Sequence, residues 1–111
     1  MIDIIADLKK LNIPVYIEGD APSDLPDEYF TVSEDDTGDN LNADNETKEL
    51  LWEFTLKWYT KDEKNIFNGL LEAIELLKEK NYIIDGVGYH NSTYQNTWKS
   101  RAVDVSKIEY L

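Results

Sequence analysis

One histidine and one acidic run are the features of this 111-residue chain whose residue types could do chemistry. His90 follows Gly86-Val87-Gly88-Tyr89 and precedes Ser92 and Thr93, so a base and two hydroxyls are neighbours in sequence. A nucleophilic triad is assembled in space from separate segments, and adjacency of this kind is common by accident. The chain has no cysteine, which removes thiol nucleophiles, thiolate metal sites and disulfides and fits a reducing compartment. Asp35, Asp36, Asp39 and Asp44 surround Gly38 in the manner of a calcium loop. Aligned on that glycine, however, the first, fifth and last ligand positions fall on Ser33, Thr37 and Asp44, where Asp, Asp or Asn, and a bidentate Glu are needed. Gly86-Val87-Gly88 lacks the third glycine and the βαβ setting of a phosphate cradle. No catalytic residue, cofactor or metal ligand is therefore expected.

Charge is placed unevenly. The net charge is -12, and the stretch from Glu18 to Glu49 holds twelve acidic residues against Lys48 alone. The rest is nearly neutral with mixed signs, as on an ordinary solvated surface. With no basic stripe to meet phosphates, sequence-specific nucleic-acid binding is not expected, and the physical alternatives are a partner with a basic surface or a role in keeping polyanions from sticking. Nothing approaches the roughly 18 uninterrupted apolar residues of a membrane span. The amino terminus carries Asp3 and Asp7 within its apolar stretch and no cleavage pattern, so a protein made in the cytoplasm is expected. The triplets Asn45-Glu46-Thr47 and Asn91-Ser92-Thr93 then read as chance matches to the glycosylation signal.

Aromatic residues are the remaining signal. Trp52, Phe54 and Trp58 alternate along one strand and read as core. Tyr94 and Trp98 lie in a polar loop running from His90 to Ser100, too long for a tight hairpin, where large aromatics either anchor an interface or fold back over the sheet. Tyr94, Trp98 and the nearby Arg101 are the candidate partner-binding residues.

The elements that must position these side chains follow from periodicity. Ile4, Ile5, Leu8 and Leu11 form the apolar stripe of a short helix, ended by Asn12 and Pro14. Ile13, Val15 and Ile17 alternate as a strand whose proline suits an edge, and Tyr29 to Ser33 reads as a second strand. Residues 34–47, rich in Asp and Asn around Gly38, read as a mobile acidic loop. Trp52 to Tyr59 is the expected central strand. Thr60 and Glu63 have the spacing of a capping box, which opens a helix over Lys61 to Lys80 buried through Ile66, Phe67, Leu70, Leu71, Ile74 and Leu77 and closed by Asn81. Two strands, Tyr82 to Tyr89 and Arg101 to Tyr110, finish a single α+β domain. A small antiparallel or mixed sheet of about five strands should carry the long helix on one face, beside the short N-terminal helix.

This element order resembles the small tail-completion proteins of long-tailed bacteriophages and prophages. The residues that carry the likeness are Pro14-Val15-Tyr16, Tyr29-Phe30, the acidic insert, the Trp52 to Tyr59 strand, Tyr82-Ile83-Ile84-Asp85-Gly86-Val87-Gly88-Tyr89, Trp98, Arg101 and Asp104-Val105. The resemblance covers essentially the whole chain and brings no catalytic residue with it. It implies a structural protein that caps the finished tail tube as a ring, typically of six subunits, and joins it to the head connector. Its partners would be copies of itself, tail-tube proteins and connector proteins, with no membrane. It would act in the host bacterial cytoplasm during assembly and at the head-tail junction of the virion. In such a ring Glu34, Asp35, Asp36, Asp39 and Asp44 are candidates to line the channel and repel DNA. The alternative of another class is a small acidic inhibitor or DNA mimic, which needs its carboxylates spread on rigid elements.

Overall fold

The computed structural model describes residues 3–39, 49–91 and 97–110, with side chains left aside at 36–39 and 91. A short helix α1 (Ile4–Leu8) runs into a 3₁₀ turn (Lys9–Leu11), followed by strands β1 (Val15–Ile17), β2 (Glu28–Asp39) and β3 (Glu49–Thr60). A second 3₁₀ turn (Glu63–Asn65) leads into helix α2 (Ile66–Glu79), and β4 (Ile83–Asn91) and β5 (Lys99–Tyr110) complete the chain. The sheet order is β1-β2-β3-β5-β4. Only β1 runs parallel to its neighbour; the other pairs are antiparallel, so the sheet is mixed with β3 at its centre.

Alternation along the strands divides the sheet into two faces. Phe30, Val32, Phe54, Leu56, Trp58, Val103 and Val105 point to one, and both helices cover it. From α2 come Leu70, Ala73, Ile74 and Leu77, and from α1 Ile4 and Leu8, all buried. Helix and sheet approach closely at Gly69, where a Cβ atom would lie 2.2 Å from the Trp58 ring. Trp58 is fully buried, rests 4.7 Å from the Phe30 ring, and donates its indole N–H to the Asn65 carbonyl at 3.2 Å. Trp52 sits half-buried at the margin, stacked at 6.3 Å on Phe54.

The ends of both helices are set locally. The Asp3 carboxylate accepts from the Ala6 N–H at 3.0 Å, and Asn12 leaves the 3₁₀ turn in the left-handed conformation (φ 59°). Asn81 (φ 69°) closes α2 in a Schellman turn, with the Tyr82 N–H bonded to the Leu77 carbonyl at 2.9 Å. The buried Tyr82 then donates its hydroxyl to Asp7 at 2.7 Å, tying α1 to the start of β4. Burial first, and that carboxylate second, raise the Tyr82 pKa strongly.

Two local expectations are corrected. The Thr60–Glu63 capping box does not form. Glu28 stands directly opposite Thr60 in the β2–β3 ladder and accepts a hydrogen bond from its hydroxyl at 2.6 Å, while Glu63 pairs with Lys99 at 3.6 Å. Asp62 caps the turn instead, accepting from the Lys64 N–H at 3.0 Å. The acidic segment is also not a loop from Glu34 onward. β2 continues to Asp39, paired with Leu50 to Phe54 after a bulge between Glu34 and Asp36. Turn propensity is overridden there by an apolar neighbouring strand that supplies a ladder. Residues 40–47 of the expected loop lie outside the described residues.

Candidate functional site

Among the described residues no helix packs on the face of the sheet opposite α1 and α2, and its side chains differ in kind from one end to the other. At one end three tyrosines step across β1, β2 and β3. Tyr16 meets Tyr29 edge-on at 5.9 Å, and Tyr29 stacks on Tyr59 at 4.7 Å with rings nearly parallel. Trp98 folds onto this row, edge-on to Tyr29 at 6.5 Å, with its indole N–H donated to the Pro26 carbonyl at 3.3 Å and the Lys61 ammonium 4.6 Å from its ring. Burial, and then the neighbouring phenols, raise the Tyr29 pKa, so its hydroxyl stays protonated well into the alkaline range.

Further along the same face Lys57 pairs with Glu18 across β2, an ion pair that raises the lysine pKa despite partial burial. Beyond it the surface becomes acidic. The bulge places Asp35 where its carboxylate accepts from the Ser33 hydroxyl at 3.2 Å and from the Thr55 hydroxyl. Asp104 accepts from Tyr89 at 3.3 Å and lies within 3.4 Å of the same Thr55 hydroxyl. Burial first, then the Asp104 charge, raise the Tyr89 pKa. Asp35, Glu53, Asp85 and Asp104 surround a groove of about 360 Å³ whose wall includes Ile83. No group of three or more described residues is arranged to hold a metal ion.

Of the three candidate partner-binding residues, Trp98 is braced against the tyrosine row as described. Arg101 faces the other way, towards α2: its guanidinium lies 4.6 Å over the Phe67 ring and donates to the Gly88 carbonyl at 2.7 Å. It fastens the irregular middle of β4, where Gly86 (φ 80°) and Gly88 (φ 92°) break the ladder, and it shares no surface with Trp98. Tyr94 lies outside the described residues. Among the channel candidates, Glu34 is exposed on β2 and Asp35 is held in the hydroxyl network. Asp36 and Asp39 are placed by backbone alone, paired with Glu53 and Leu50, and Asp44 lies outside the described residues. His90 is exposed at the end of β4, opposite Arg101 in the ladder.

Sequence reasoning missed Tyr16, Tyr29, Tyr59, Glu53, Asp85 and Asp104 as a group. The alternation that marked Trp52, Phe54 and Trp58 as core also assigns Glu53, Thr55, Lys57 and Tyr59 to the other face, so part of the signal was present. Strand order supplied the rest, because β5 enters between β3 and β4 and brings Asp104 between Thr55 and Asp85. Among the described residues, no helix is long and apolar enough to cross a membrane. No protein-family model matches the sequence, and no curated protein matches it significantly.

Proposed function

We propose that the chain is a phage or prophage structural protein that completes the tail, assembling as a ring at the end of the tail tube and joining it to the head connector. The observation that carries this reading, alongside the resemblance in element order, is that the sheet ends on two different unpaired edges. On one side β1 covers β2 only at Phe30 to Val32, which leaves the outer edge of Ser33 to Asp39 without a strand partner among the described residues. On the other side the outer edge of β4 has no strand partner among the described residues. Unlike edges on opposite sides suit a head-to-tail contact, and such contacts generate rings when the rotation closes. Acidic side chains along β2 keep the edge from pairing indiscriminately beforehand, and in the ring Glu34, Asp35, Asp36 and Asp39 would present negative charge to passing DNA.

Negative-stain imaging of the purified protein mixed with uncapped tail tubes tests the reading. Rings seated at tube ends are the expected outcome. Tubes that stay bare, with protein that remains monomeric at every concentration by light scattering, would overturn it. Replacing Glu34, Asp35, Asp36 and Asp39 by their amides should leave rings intact and slow DNA passage, and unchanged ejection kinetics would remove the channel role. The second reading, an acidic inhibitor or DNA mimic, gains from one observation: Asp35, Glu53, Asp85 and Asp104 stand on paired strands. It predicts tight binding to a basic nucleic-acid enzyme and no association with tails.

A further inference from the structure

The face opposite the helices has three properties that folding alone does not require. Asp85 and Asp104 are direct cross-strand partners, and like charges set opposite each other destabilise a sheet. Four carboxylates line the groove and no base does; the nearest cation on that face, Lys57, is already paired with Glu18. Thr31, on the same row of β2 as Tyr29 and Ser33, is only 6 % exposed, and its hydroxyl has no hydrogen-bond partner among the described residues. A buried hydroxyl without a partner costs stability in the free protein; this one lies outside the groove lining and is closed to an incoming group.

We propose that this face, along the Asp35–Glu53–Asp85–Asp104 groove and the half-exposed Tyr89 beside it, docks an extended arginine-bearing segment of a partner protein. The proposal rests on the assembly reading and deepens it by naming the chemistry of the partner. Charge complementarity selects the occupant. Nucleic acid is repelled by the groove, and the carboxylates are too dispersed to share one metal ion. A guanidinium spans such spacing: its planar fork takes a carboxylate with two hydrogen bonds, and it stacks on tyrosine faces where an ammonium does so less well. An extended segment places alternate side chains on one side about 7 Å apart, the same repeat as the rows of the sheet beneath it. Ile83 (54 % exposed) and Tyr89 (47 % exposed) offer apolar surface beside the charges for the stems of those side chains.

The test is a fluorescence-anisotropy titration of the full chain with a short fluorescein-labelled peptide carrying arginine at every second position, against the same peptide with lysine. The arginine peptide should bind several-fold more tightly than the lysine peptide. D85N/D104N should weaken it by about tenfold or more and Glu53→Gln by about threefold, while the helix control E72Q/E75Q stays within about twofold of wild type. Thermal melts accompany each variant, and Glu53→Gln keeps the test decisive should the double variant fold poorly. The proposal is overturned if the wild type binds neither peptide, if lysine serves as well as arginine, or if the helix control loses as much as the groove variants. Because the titration uses isolated protein, docking can fail while rings still cap tails. Equally, capping can fail while the peptide still binds.

Discussion

The same strands of this sheet present two faces built on different rules. Under α2, Phe30, Leu56, Trp58 and Val103 are closed off completely, and close approach decides which residues fit, down to the single hydrogen of Gly69 against the Trp58 ring. One residue away along each strand, Tyr29, Lys57, Thr55 and Asp104 point to the opposite face and interact through hydroxyls, rings and charges. The covered face is fixed by volume, where any change is felt because interiors have no spare space. The opposite face carries a hydroxyl without a partner among the described residues and an opposed pair of carboxylates, features that lower stability.

Substitutions graded by size can break or sharpen this contrast. Trp58→Ala, which empties the centre of the covered face, should cost about 3 to 5 kcal/mol in urea unfolding. A loss below about 1 kcal/mol would mean that α2 is not docked on that ring. Gly88→Ala should cost about 1 to 3 kcal/mol, since the new methyl meets a Leu70 methyl carbon at 2.6 Å and the Ala102 carbonyl at 2.9 Å in a backbone held at φ 92°. An unchanged midpoint would show that the β4 irregularity relaxes freely. Trp98→Ala should cost less, about 1 to 2 kcal/mol, because the ring is only half-buried against Tyr29. The folded variant should leave tails unjoined to heads in a complementation assay; normal joining would confine Trp98 to bracing. Smallest of all, Thr31→Val should leave the melting temperature unchanged or slightly raised, as it removes an unpaired hydroxyl at nearly constant volume. A clear drop would show that the hydroxyl has a partner in solution and that the face opposite the helices is less permissive than it looks.

The order of elements was legible in the sequence because helix and strand periods are local. Ile4 and Leu8, the Trp52 to Tyr59 alternation and Leu70, Ile74 and Leu77 each name their element and their buried side without reference to the rest of the chain, whereas Phe67 and Leu71, expected on the buried face of α2, are exposed. Asn12 and Asn81 likewise end their helices by a property of their own backbone. The capping box failed for the opposite reason: Thr60 had a competing acceptor, Glu28, thirty-two residues away in sequence and directly across the ladder. Glu34 to Asp39 read as a turn because composition was all that could be weighed, whereas pairing with Leu50 to Phe54 settles them as strand.

By itself, then, the sequence determined an acidic α+β chain with a helix-covered core, since burial of periodic apolar residues depends on neighbours within a few positions. Tertiary structure alone decided what the face opposite the helices contains. Tyr16, Tyr29 and Tyr59 come from three strands, and Asp35, Asp85 and Asp104 from three others in part. Which of them meet is set by strand order and register, where a shift of one residue would turn each set to the other face.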